Sequence, residues 1–379
     1  MTAEALPTDL RQRLTAELET LRAETQLRAL ELPSGINLCS NDYLGLAGDP
    51  RLKQAVLEGA AAVERVGSTG SRLLSGNHLA WEELEAKFAR FAGTEAGLYF
   101  SSGYSGNLGT LSSLLKPGDM VFSDALNHAS IIDGIRLSGA HKFIYPHCDL
   151  KTLEQGLRDH RHDEGARLIV TESVFSMEGD VAPLTGLLHL AQNYGAELVV
   201  DEAHATGVCG PAGRGILAEL GHEREVLAVV HTCGKALASA GAVVCGSQTL
   251  RDYLINRARS FIFSTAAPPY LACQISAALT LAGEAEDRRV HLRQLGTRLR
   301  ERLAAAKLDC GPSTTHIVPV ILGSNRRAME VAARLQKNGF AVRAVRPPTV
   351  PPGTARLRLS LTSKIGFADI DRLVQLIDA

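Results

Sequence analysis

The chain has 379 residues, of which 45% are hydrophobic and 21% charged, and its formal net charge is −1. This length suits a large domain joined to a smaller one, and the composition is ordinary for a globular protein. The near-neutral charge and the lack of a basic block argue against binding to nucleic acid or to a membrane surface. No run of 18 apolar residues predicts a spanning helix, and the N-terminus lacks the pattern of a signal peptide.

The seven cysteines are scattered, with no Cys-x-x-Cys motif and no cysteine–histidine cluster at zinc spacing. Unpaired thiols favour a reducing compartment, so we expect a cytoplasmic protein without a metal centre.

In chain order, hydrophobic spacing predicts an N-terminal amphipathic helix over residues 8–32 and further helices over 50–66 and 79–92. From residue 97, short apolar runs recur, most of them followed by a polar or glycine-containing turn and a helix-like segment. The runs are 97–100, 120–122, 142–145, 167–171, 198–200, 226–230 and 241–245. This alternation predicts an α/β fold, a mainly parallel seven-stranded sheet with helices on both faces. The last run follows so soon after the sixth that it can run antiparallel.

A long helical stretch over 270–305 then leads to a smaller C-terminal α+β domain. Its predicted strands are 315–322, 340–345 and 354–361, and its predicted helices are 325–338 and 367–378. In the third of these strands Arg356 and Arg358 alternate with apolar residues. Their side of the strand is either a half-exposed sheet surface or an anion site over the edge of the large domain. We divide the chain into an N-terminal helix and arm (1–45), a large domain (46–270) and a small domain (271–379).

Two of the predicted strands are followed by ionisable side chains of complementary chemistry. Asp201 closes one apolar run, and Lys235 comes 34 residues later, after the next run. This spacing matches one strand–helix–strand unit, and parallel strands would bring both side chains to the carboxyl edge, where open α/β sheets bind ligands. Pyridoxal 5′-phosphate (PLP) requires a lysine for its Schiff base and an aspartate to keep its ring nitrogen protonated. Taken singly, such an aspartate is often a turn former and such a lysine a surface group.

Two other motif readings fail. Residues 201–204 spell DEAH, as in helicases, and Gly234-Lys235 resembles the end of a phosphate-binding loop. A Walker A loop needs a glycine five positions before that glycine and a serine or threonine after the lysine. This chain has Val229 and Ala236 there, so we do not expect a nucleotide-driven motor.

Polar residues also follow other predicted strands. The segment 101–106 contains Gly103 and Tyr104 and opens a helix, an arrangement in which backbone N–H groups and the helix N-terminus bind phosphate. His128 follows the next strand, where an imidazole can stack on an aromatic ring or merely cap a helix. Further polar groups at strand ends are Ser176, His204 and Thr232. Each signal is weak alone, but together they favour one ligand site.

Five motifs in the chain resemble those of the α-oxoamine synthases. They are NDYLGL at 41–46, GSTGSRLLSG at 67–76, TESVFSMEGD at 171–180, VDEAHATG at 200–207 and TCGK at 232–235. The resemblance covers roughly residues 38–375. It implies a fold-type-I PLP enzyme that condenses an amino acid with an acyl thioester and releases CO2.

The resemblance also implies roles for individual residues. Lys235 would carry the cofactor and then move the α-proton, Asp201 would pair with its ring nitrogen, His128 would stack on its ring and His204 would reach its phenolic oxygen. The residues implied to bind or position the cofactor, mostly at its phosphate, are Gly103, Tyr104, Ser176 and Thr232. Those implied to contact the substrates are Asn41, Thr349, Arg358 and Arg28, with Arg358 on the amino-acid carboxylate and Thr349 in the acyl channel. Ser264 and Thr265 would reach the phosphate in a partner subunit, which implies a homodimer with shared active sites.

The stretch 346–360, RPPTVPPGTARLRLS, is similar to the biotin-pathway member of the family. That member uses L-alanine and a pimeloyl thioester, carried by CoA or by acyl carrier protein. Other members, such as one that uses glycine and acetyl-CoA, stay open, because a methyl group provides only ~1–3 kcal/mol of discrimination. A different alternative is a catalytically silent subunit of a heterodimeric synthase, but such subunits lack the lysine that is present here.

Overall fold

The computed structural model describes residues 9–379. Its α-helices are α1 Leu10–Ala23, α2 Pro50–Ala62, α3 Leu79–Ala92, α4 Gly103–Leu114, α5 Ala129–Ser138, α6 Leu150–Asp159, α7 Leu184–Tyr194, α8 Ile216–Leu220, α9 Gln248–Arg257, α10 Arg259–Ile262, α11 Pro269–Glu284, α12 Glu286–Ala305, α13 Asn325–Lys337 and α14 Phe367–Asp378. Its strands are β1 Ile36–Asn37, β2 Ala96–Phe100, β3 Met120–Asp124, β4 His141–Tyr145, β5 Arg167–Glu172, β6 Glu197–Asp201, β7 Ala228–Thr232, β8 Ala242–Gly246, β9 Ile317–Gly323, β10 Phe340–Ala341, β11 Ala344–Val345 and β12 Ala355–Ser360. Within this part of the chain, no helix is both long and apolar enough to cross a bilayer.

The main sheet has seven strands in the order β2-β8-β7-β6-β5-β3-β4. Strands β4, β3, β5, β6 and β7 run parallel to one another, whereas β8 is antiparallel to both β7 and β2. The predicted mainly parallel seven-stranded sheet is therefore confirmed, including the antiparallel course of the run at 241–245.

Successive residues of the central strands point into two separate apolar clusters, one on each face of the sheet. In β6, for example, Val200 belongs to the cluster that also contains Phe122 and Trp81, while Val199 belongs to the cluster with Phe100 and Leu111. Parallel strands must be covered on both faces, and this is why they read as continuous apolar runs in the sequence. A sheet buried in this way is a rigid support, and its carboxyl edge is where polar side chains emerge.

The N-terminal helix is shorter than predicted. Residue 8 lies outside the described residues, and α1 ends at Ala23 rather than continuing to residue 32. Thr25 has a left-handed backbone with φ of 58°, which interrupts the helix. Beyond this point the carbonyls of Thr25 and Leu27 accept hydrogen bonds from Arg346, so contacts with the C-terminal part of the chain replace helical ones.

The C-terminal part forms a three-stranded antiparallel sheet in the order β11-β12-β9. The single strand predicted at 340–345 is two short strands, because β10 pairs in parallel with β1 whereas β11 pairs with β12. The long helix predicted at 270–305 breaks at Ala285, which has non-helical φ and ψ angles of −88° and 42°. The proposed domain boundaries at residues 45 and 270 stay predictions.

Candidate active site

The carboxyl edge of the main sheet brings together side chains from three neighbouring strands. Strands β5, β6 and β7 are parallel and end at Glu172, Asp201 and Thr232, with Glu172 and Asp201 opposite each other in register. Lys235 follows three residues after Thr232. The spacing argument therefore placed Asp201 and Lys235 at the correct edge.

A chain of hydrogen bonds runs from Lys235 to Arg358. The Nζ atom of Lys235 lies 3.0 Å from Nε2 of His204, and Nδ1 of His204 lies 2.6 Å from the hydroxyl of Tyr43. That hydroxyl donates its single proton to Oδ1 of Asn41 at 3.0 Å, so Nδ1–H of His204 donates to Tyr43 and Nε2 accepts from Lys235. Oδ1 of Asn41 also accepts from Nη1 of Arg358 at 3.1 Å.

The surroundings keep both nitrogen bases of this chain less protonated than usual. Burial lowers the pKa of Lys235, and the charge of Arg358 acts in the same direction, while the carboxylates of Asp201 and Glu172 oppose it. Burial also lowers the pKa of His204 well below its ordinary value, assisted by the positive charges of Lys235 and Arg358. An amine with a lowered pKa is a better nucleophile and base near neutral pH.

Asp201 is held by donors that carry no charge. Its Oδ2 accepts from Nδ2 of Asn107 at 2.6 Å, and its Oδ1 accepts from the backbone N–H of Ala203 at 2.8 Å. Asn107 also donates to the hydroxyl of Ser130 at 3.0 Å, which fixes the orientation of its amide. The carboxylate is only 6% exposed, so its negative charge favours a cationic partner such as a protonated ring nitrogen.

Glu172 is a second buried carboxyl group beside Asp201. The side chain is 2% exposed, and its Oε1 has no hydrogen-bond partner among the described residues. Burial raises the pKa of Glu172, and the neighbouring charge of Asp201 raises it further. Glu172 was not among the predicted site residues, although it lies in the motif at 171–180. Its position at the end of a strand, next to the strand of Asp201, was the signal that could have identified it.

The loop before α4 approaches β7 as closely as a glycine allows. A Cβ atom added to Gly103 would lie 2.7 Å from Oγ1 of Thr232, so any side chain there would displace the threonine. Ser102 caps α4, and its hydroxyl accepts from the backbone N–H of Ser105. This glycine-opened helix N-terminus beside a threonine hydroxyl is a suitable cradle for a phosphate.

Two further predicted residues lie at the start of helices on this side of the sheet. His128 caps α5, where its Nδ1 accepts from the backbone N–H of Ser130. The ring of Tyr104 meets that of His128 edge-on, with 6.4 Å between centroids, and its hydroxyl donates to Asp133. Both side chains are exposed, so each ring is accessible to a ligand.

Arg358 joins the C-terminal sheet to the large sheet. Its guanidinium donates to the backbone carbonyl of Ser176, to Asn41 and to the hydroxyl of Ser360. Arg356 is not on a half-exposed surface, because it is 5% exposed and pairs with Glu178 at 2.9 Å. Of the two readings of this polar face, the structure therefore favours the one in which it covers the site.

The remaining predicted site residues are Arg28, Thr349, Ser264 and Thr265, and none of them is hydrogen-bonded to the Lys235–Arg358 chain in the described structure. Arg28 and Thr349 are exposed and contact each other, with Nη2 of Arg28 3.1 Å from Oγ1 of Thr349. Ser264 is half-buried and Thr265 exposed, and Thr265 forms an isolated bridge with Ser71. Their predicted roles, at the acyl substrate and in a partner subunit, stay predictions.

The residues at the carboxyl edge fit PLP. The buried amine of Lys235 has a lowered pKa, the carboxylate of Asp201 is held only by uncharged donors, and the approach of Gly103 to Thr232 leaves a cradle that a side chain would fill. A lysine, an aspartate and a phosphate cradle are the three features that this cofactor requires of a protein. Fold and site together define a fold-type-I PLP-dependent enzyme.

Comparison with known proteins agrees with this class. Residues 33–377 match the family model described as aminotransferase class I and II. A serine palmitoyltransferase from S. paucimobilis, solved with bound PLP, has a TM-score of 0.90 at 29% identity over 98% of each chain. The solved 8-amino-7-oxononanoate synthase of Francisella tularensis has a TM-score of 0.79 at 32% identity, over 91% of this chain and 97% of that one.

A curated relative extends the agreement over almost the whole chain. The 8-amino-7-oxononanoate synthase of Herminiimonas arsenicoxydans is 44% identical over 98% of this chain and 99% of its own. The chain belongs to the aminotransferase class I and II family and, within it, to the α-oxoamine synthases that include the 8-amino-7-oxononanoate synthases.

Proposed function

We propose that this protein is a homodimeric 8-amino-7-oxononanoate synthase. It would condense L-alanine with a pimeloyl thioester to form 8-amino-7-oxononanoate, CO2 and the free thiol of the carrier. The curated relatives named for this activity, at 44–48% identity, support this choice of reaction. The product is a biotin precursor, so the reaction would belong to biotin biosynthesis.

The observation that carries the proposal is the connection between Lys235 and Arg358 through His204, Tyr43 and Asn41. This connection links a buried amine to a guanidinium, a group that would bind the carboxylate of an amino acid. An α-amino acid presents an amino group and a carboxylate on the same carbon, so it needs these two partners together. A guanidinium fork also fixes the rotation of the carboxylate, which a point charge does not.

The residues divide the work of the reaction as follows. When bound, PLP supplies an electron-withdrawing ring that stabilises negative charge at the α-carbon of the amino acid. Lys235 would hold the cofactor and, once displaced by alanine, its amine would accept the α-proton. His204 would orient that amine, Asp201 would keep the ring nitrogen protonated, and Arg358 would hold the carboxylate that leaves as CO2. The flat face of His128 would cover the ring.

The phosphate of the cofactor would bind at the N-terminus of α4, with contributions from Gly103, Tyr104, Thr232 and Ser176. The negative charge of a phosphate at a helix N-terminus is stabilised by the helix dipole and by free backbone N–H groups. Ser264 and Thr265 would complete this phosphate site in the partner subunit, which accounts for their separation from the buried chain of hydrogen bonds. Arg28 and Thr349, together with the exposed arm before β1, would contact the acyl substrate.

Shared sites in the dimer are tested by mixing two inactive variants, Lys235→Ala and the double variant Ser264→Ala/Thr265→Ala. In a mixed dimer, one of the two sites takes its lysine from the Ser264→Ala/Thr265→Ala subunit and its Ser264–Thr265 pair from the Lys235→Ala subunit. Activity should therefore reappear when the two variants are refolded together. If each subunit supplied all of these residues to its own site, the mixture would stay inactive.

Other α-oxoamine synthase activities are the main competitors, since serine palmitoyltransferases share the fold at 29–30% identity. We would assay the purified protein with alanine, glycine and serine against pimeloyl-CoA, pimeloyl-acyl carrier protein, acetyl-CoA and palmitoyl-CoA. The expected result is CO2 release and 8-amino-7-oxononanoate by mass spectrometry with alanine and a pimeloyl donor. A clear preference for glycine with acetyl-CoA, or for serine with palmitoyl-CoA, would contradict the proposal. Absence of turnover with every pair would favour a silent subunit.

A further inference from the structure

A partly buried ionic cluster lies apart from the Lys235–Arg358 chain. The imidazole of His147 lies between two carboxylates, with Nδ1 2.9 Å from Oδ1 of Asp124 and Nε2 2.8 Å from Oδ2 of Asp180. A ring nitrogen binds a carboxylate oxygen only when it carries a proton, so both nitrogens of His147 are donors. The ring is therefore an imidazolium that joins two acids.

The electrostatics of the cluster agree with this geometry. Burial opposes the charge of His147, but the hydrogen bonds to Asp124 and Asp180 outweigh it and raise the pKa of the imidazole to about 12. Asp124 also accepts from the backbone N–H groups of Leu126 and Cys148, each at 2.8 Å. One side-chain atom each of Asp124, His147 and Cys148 lies within 4.8 Å of the others, a spacing that could suit a metal ion. The carboxylate of Asp124 is, however, already hydrogen-bonded by the imidazole and by two backbone N–H groups.

The imidazolium fastens the segment that follows β5, which we call the 173–180 loop. Asp124 ends β3, His147 follows β4, and Asp180 ends the loop, so one ring ties three neighbouring parts of the sheet edge. The ring of Phe175, in the middle of the loop, packs edge-on against His147 with 4.3 Å between centroids. The backbone N–H of Phe175 donates to the carbonyl of Asp180 at 3.0 Å, which closes the loop.

The same loop contacts the C-terminal sheet directly. The carbonyl of Gly179 accepts from the backbone N–H groups of Thr314 and Thr315, both at 3.1 Å, and from the hydroxyl of Thr315 at 2.8 Å. Gly179 has a φ of 71°, and a Cβ there would lie 1.8 Å from the carbonyl oxygen of Ile317. Only glycine allows the loop to approach β9 so closely.

The loop also presents partners to both arginines of β12. The carbonyl of Ser176 accepts from Arg358, and the carboxylate of Glu178 pairs with Arg356 at 2.9 Å. A displacement of the loop would therefore move the guanidinium that faces the Lys235 site. Shifts of about 1 Å in a positioning group can cost roughly a hundredfold in rate.

We propose that His147 is a positioning residue for Arg358: held between Asp124 and Asp180, it fixes the 173–180 loop so that the carbonyl of Ser176 orients Arg358 toward the carboxylate of the amino-acid substrate, while Glu178 keeps Arg356 in its ion pair. The substrate named in this role rests on the proposed function, whereas the contacts of the loop are those of the structure. In the described structure the ring nitrogens of His147 contact Asp124, Asp180 and Cys148, and neither Lys235 nor Arg358. Its removal should weaken the binding of the amino acid and leave the binding of the acyl donor almost unchanged.

The test compares His147→Gln and Asp180→Asn with the control variant His222→Gln, all as holoenzymes. His222 also pairs with a carboxylate, Glu225 at 2.8 Å, but in an exposed turn outside the site. In both test variants, alanine binding measured from the cofactor absorbance should weaken about tenfold or more, whereas the KM for the acyl donor should change less than about twofold. The control variant should behave as wild type in both measurements.

Two readouts on the protein itself separate this proposal from the proposed function. Amide hydrogen exchange of residues 173–180 should accelerate in His147→Gln and Asp180→Asn but not in the control. In the wild-type protein labelled with 15N-histidine, both ring nitrogens of His147 should keep the shifts of an imidazolium from about pH 6 to about pH 9, because Asp124, Asp180 and the thiol of Cys148 face the ring. These results do not require alanine to be the substrate.

The outcomes are decisive in each direction. A neutral His147 in wild-type protein, or unchanged exchange of the 173–180 loop in Asp180→Asn, would overturn the role of the imidazolium even if His147→Gln fails to fold. Faster loop exchange with unchanged alanine binding would overturn the link to Arg358. If wild-type protein itself fails to bind alanine, the proposed function fails, while the loop exchange and the 15N shifts still decide what His147 holds.

Discussion

The amine of Lys235 lies 3.0 Å from Nε2 of His204, and the imidazole is itself fixed from behind by Tyr43 at 2.6 Å. The hydrogen bond to His204 thus holds the amine of Lys235 in position. Because burial lowers the pKa of both groups, the pair holds fewer protons near neutral pH than two isolated side chains would. Precise placement and partial neutrality are what a nucleophilic lysine requires.

Replacing the lysine is the direct test of this centre. We expect Lys235→Ala to abolish turnover while the protein still folds, because covalent binding of the cofactor and transfer of the α-proton both depend on the amine. Borohydride reduction of wild-type holoenzyme followed by peptide mapping should place the pyridoxyl group on Lys235. Lys142, an exposed residue of β4, provides the control, since Lys142→Ala should be labelled and active as wild type. A pyridoxyl group on any other lysine would refute the assignment.

Tyr43 tests the hydrogen-bond chain rather than the lysine itself. In Tyr43→Phe, Nδ1–H of buried His204 loses its acceptor, which should destabilise the fold by about 1–3 kcal/mol. Turnover should fall about tenfold or more, because the imidazole that orients Lys235 is no longer fixed. Urea denaturation and steady-state kinetics measure the two effects. Tyr253→Phe removes an exposed hydroxyl that donates to the carbonyl of Ser113, and we expect it to alter neither quantity appreciably.

Asp201→Asn removes a charge and keeps a shape. The amide oxygen can still accept one of the hydrogen bonds from Asn107 and Ala203, so we expect a folded protein that retains PLP. Without the carboxylate the ring nitrogen loses its proton and withdraws electrons poorly, so turnover should fall by several powers of ten, each equal to ~1.4 kcal/mol of activation free energy. Cofactor content from absorbance and single-turnover kinetics measure binding and rate separately. Near wild-type turnover would refute the pairing of Asp201 with the ring nitrogen.

The sequence predicted those parts of the fold and site that depend on local periodicity. Apolar runs of parallel strands are continuous, so β5, β6 and β7 were recognisable, and the strand–helix–strand spacing brought Asp201 and Lys235 to one edge. Contacts between distant segments left no such signal. Nothing local to Tyr43 or Asn107 indicates that they contact His204 and Asp201, and the early end of α1 depends on Arg346, more than 300 residues away. The burial of Arg356 likewise depends on Glu178, which lies in the loop after β5, far from Arg356 in the sequence.

The two arginines of β12 should respond differently to replacement by lysine. In Arg358→Lys, a point charge replaces a fork that also contacts Ser176, Asn41 and Ser360, so alanine binding should weaken about tenfold or more. Arg356→Lys disturbs a buried ion pair with Glu178, so its main effect should be a loss of about 1–3 kcal/mol in the free energy of unfolding.

Alanine titration of the cofactor absorbance and urea denaturation distinguish these two effects. The result that would contradict the assignment is the reverse pattern, in which Arg356→Lys weakens alanine binding and Arg358→Lys leaves it unchanged. In that case Arg356, not Arg358, would bind the carboxylate.

The last prediction concerns pH and a buried glutamate next to the site. Glu202 follows Asp201, its Oε1 accepts from the backbone N–H of Leu217, and burial raises its pKa from 4.5 to about 8. Between these two values the unfolded chain has lost the proton and the folded protein has kept it. The folded state then binds more protons at Glu202, so the contribution of Glu202 to the free energy of unfolding should fall as the pH rises from about 4.5 to about 8. Glu202→Gln removes this contribution, because the amide resembles the protonated acid at every pH. The variant should therefore gain stability relative to wild type across this window, by up to about 1.4 kcal/mol for each pH unit. Other buried groups also contribute to the pH dependence of both proteins, with opposite signs for Glu172, whose pKa is raised, and for His204 and His231, whose pKa is lowered. The test therefore compares the variant with wild type at each pH. Urea denaturation at several pH values within the window measures the difference, with Glu301→Gln on the exposed face of α12 as the control. A stability difference between Glu202→Gln and wild type that does not change with pH would show that Glu202 is ionised in the folded protein.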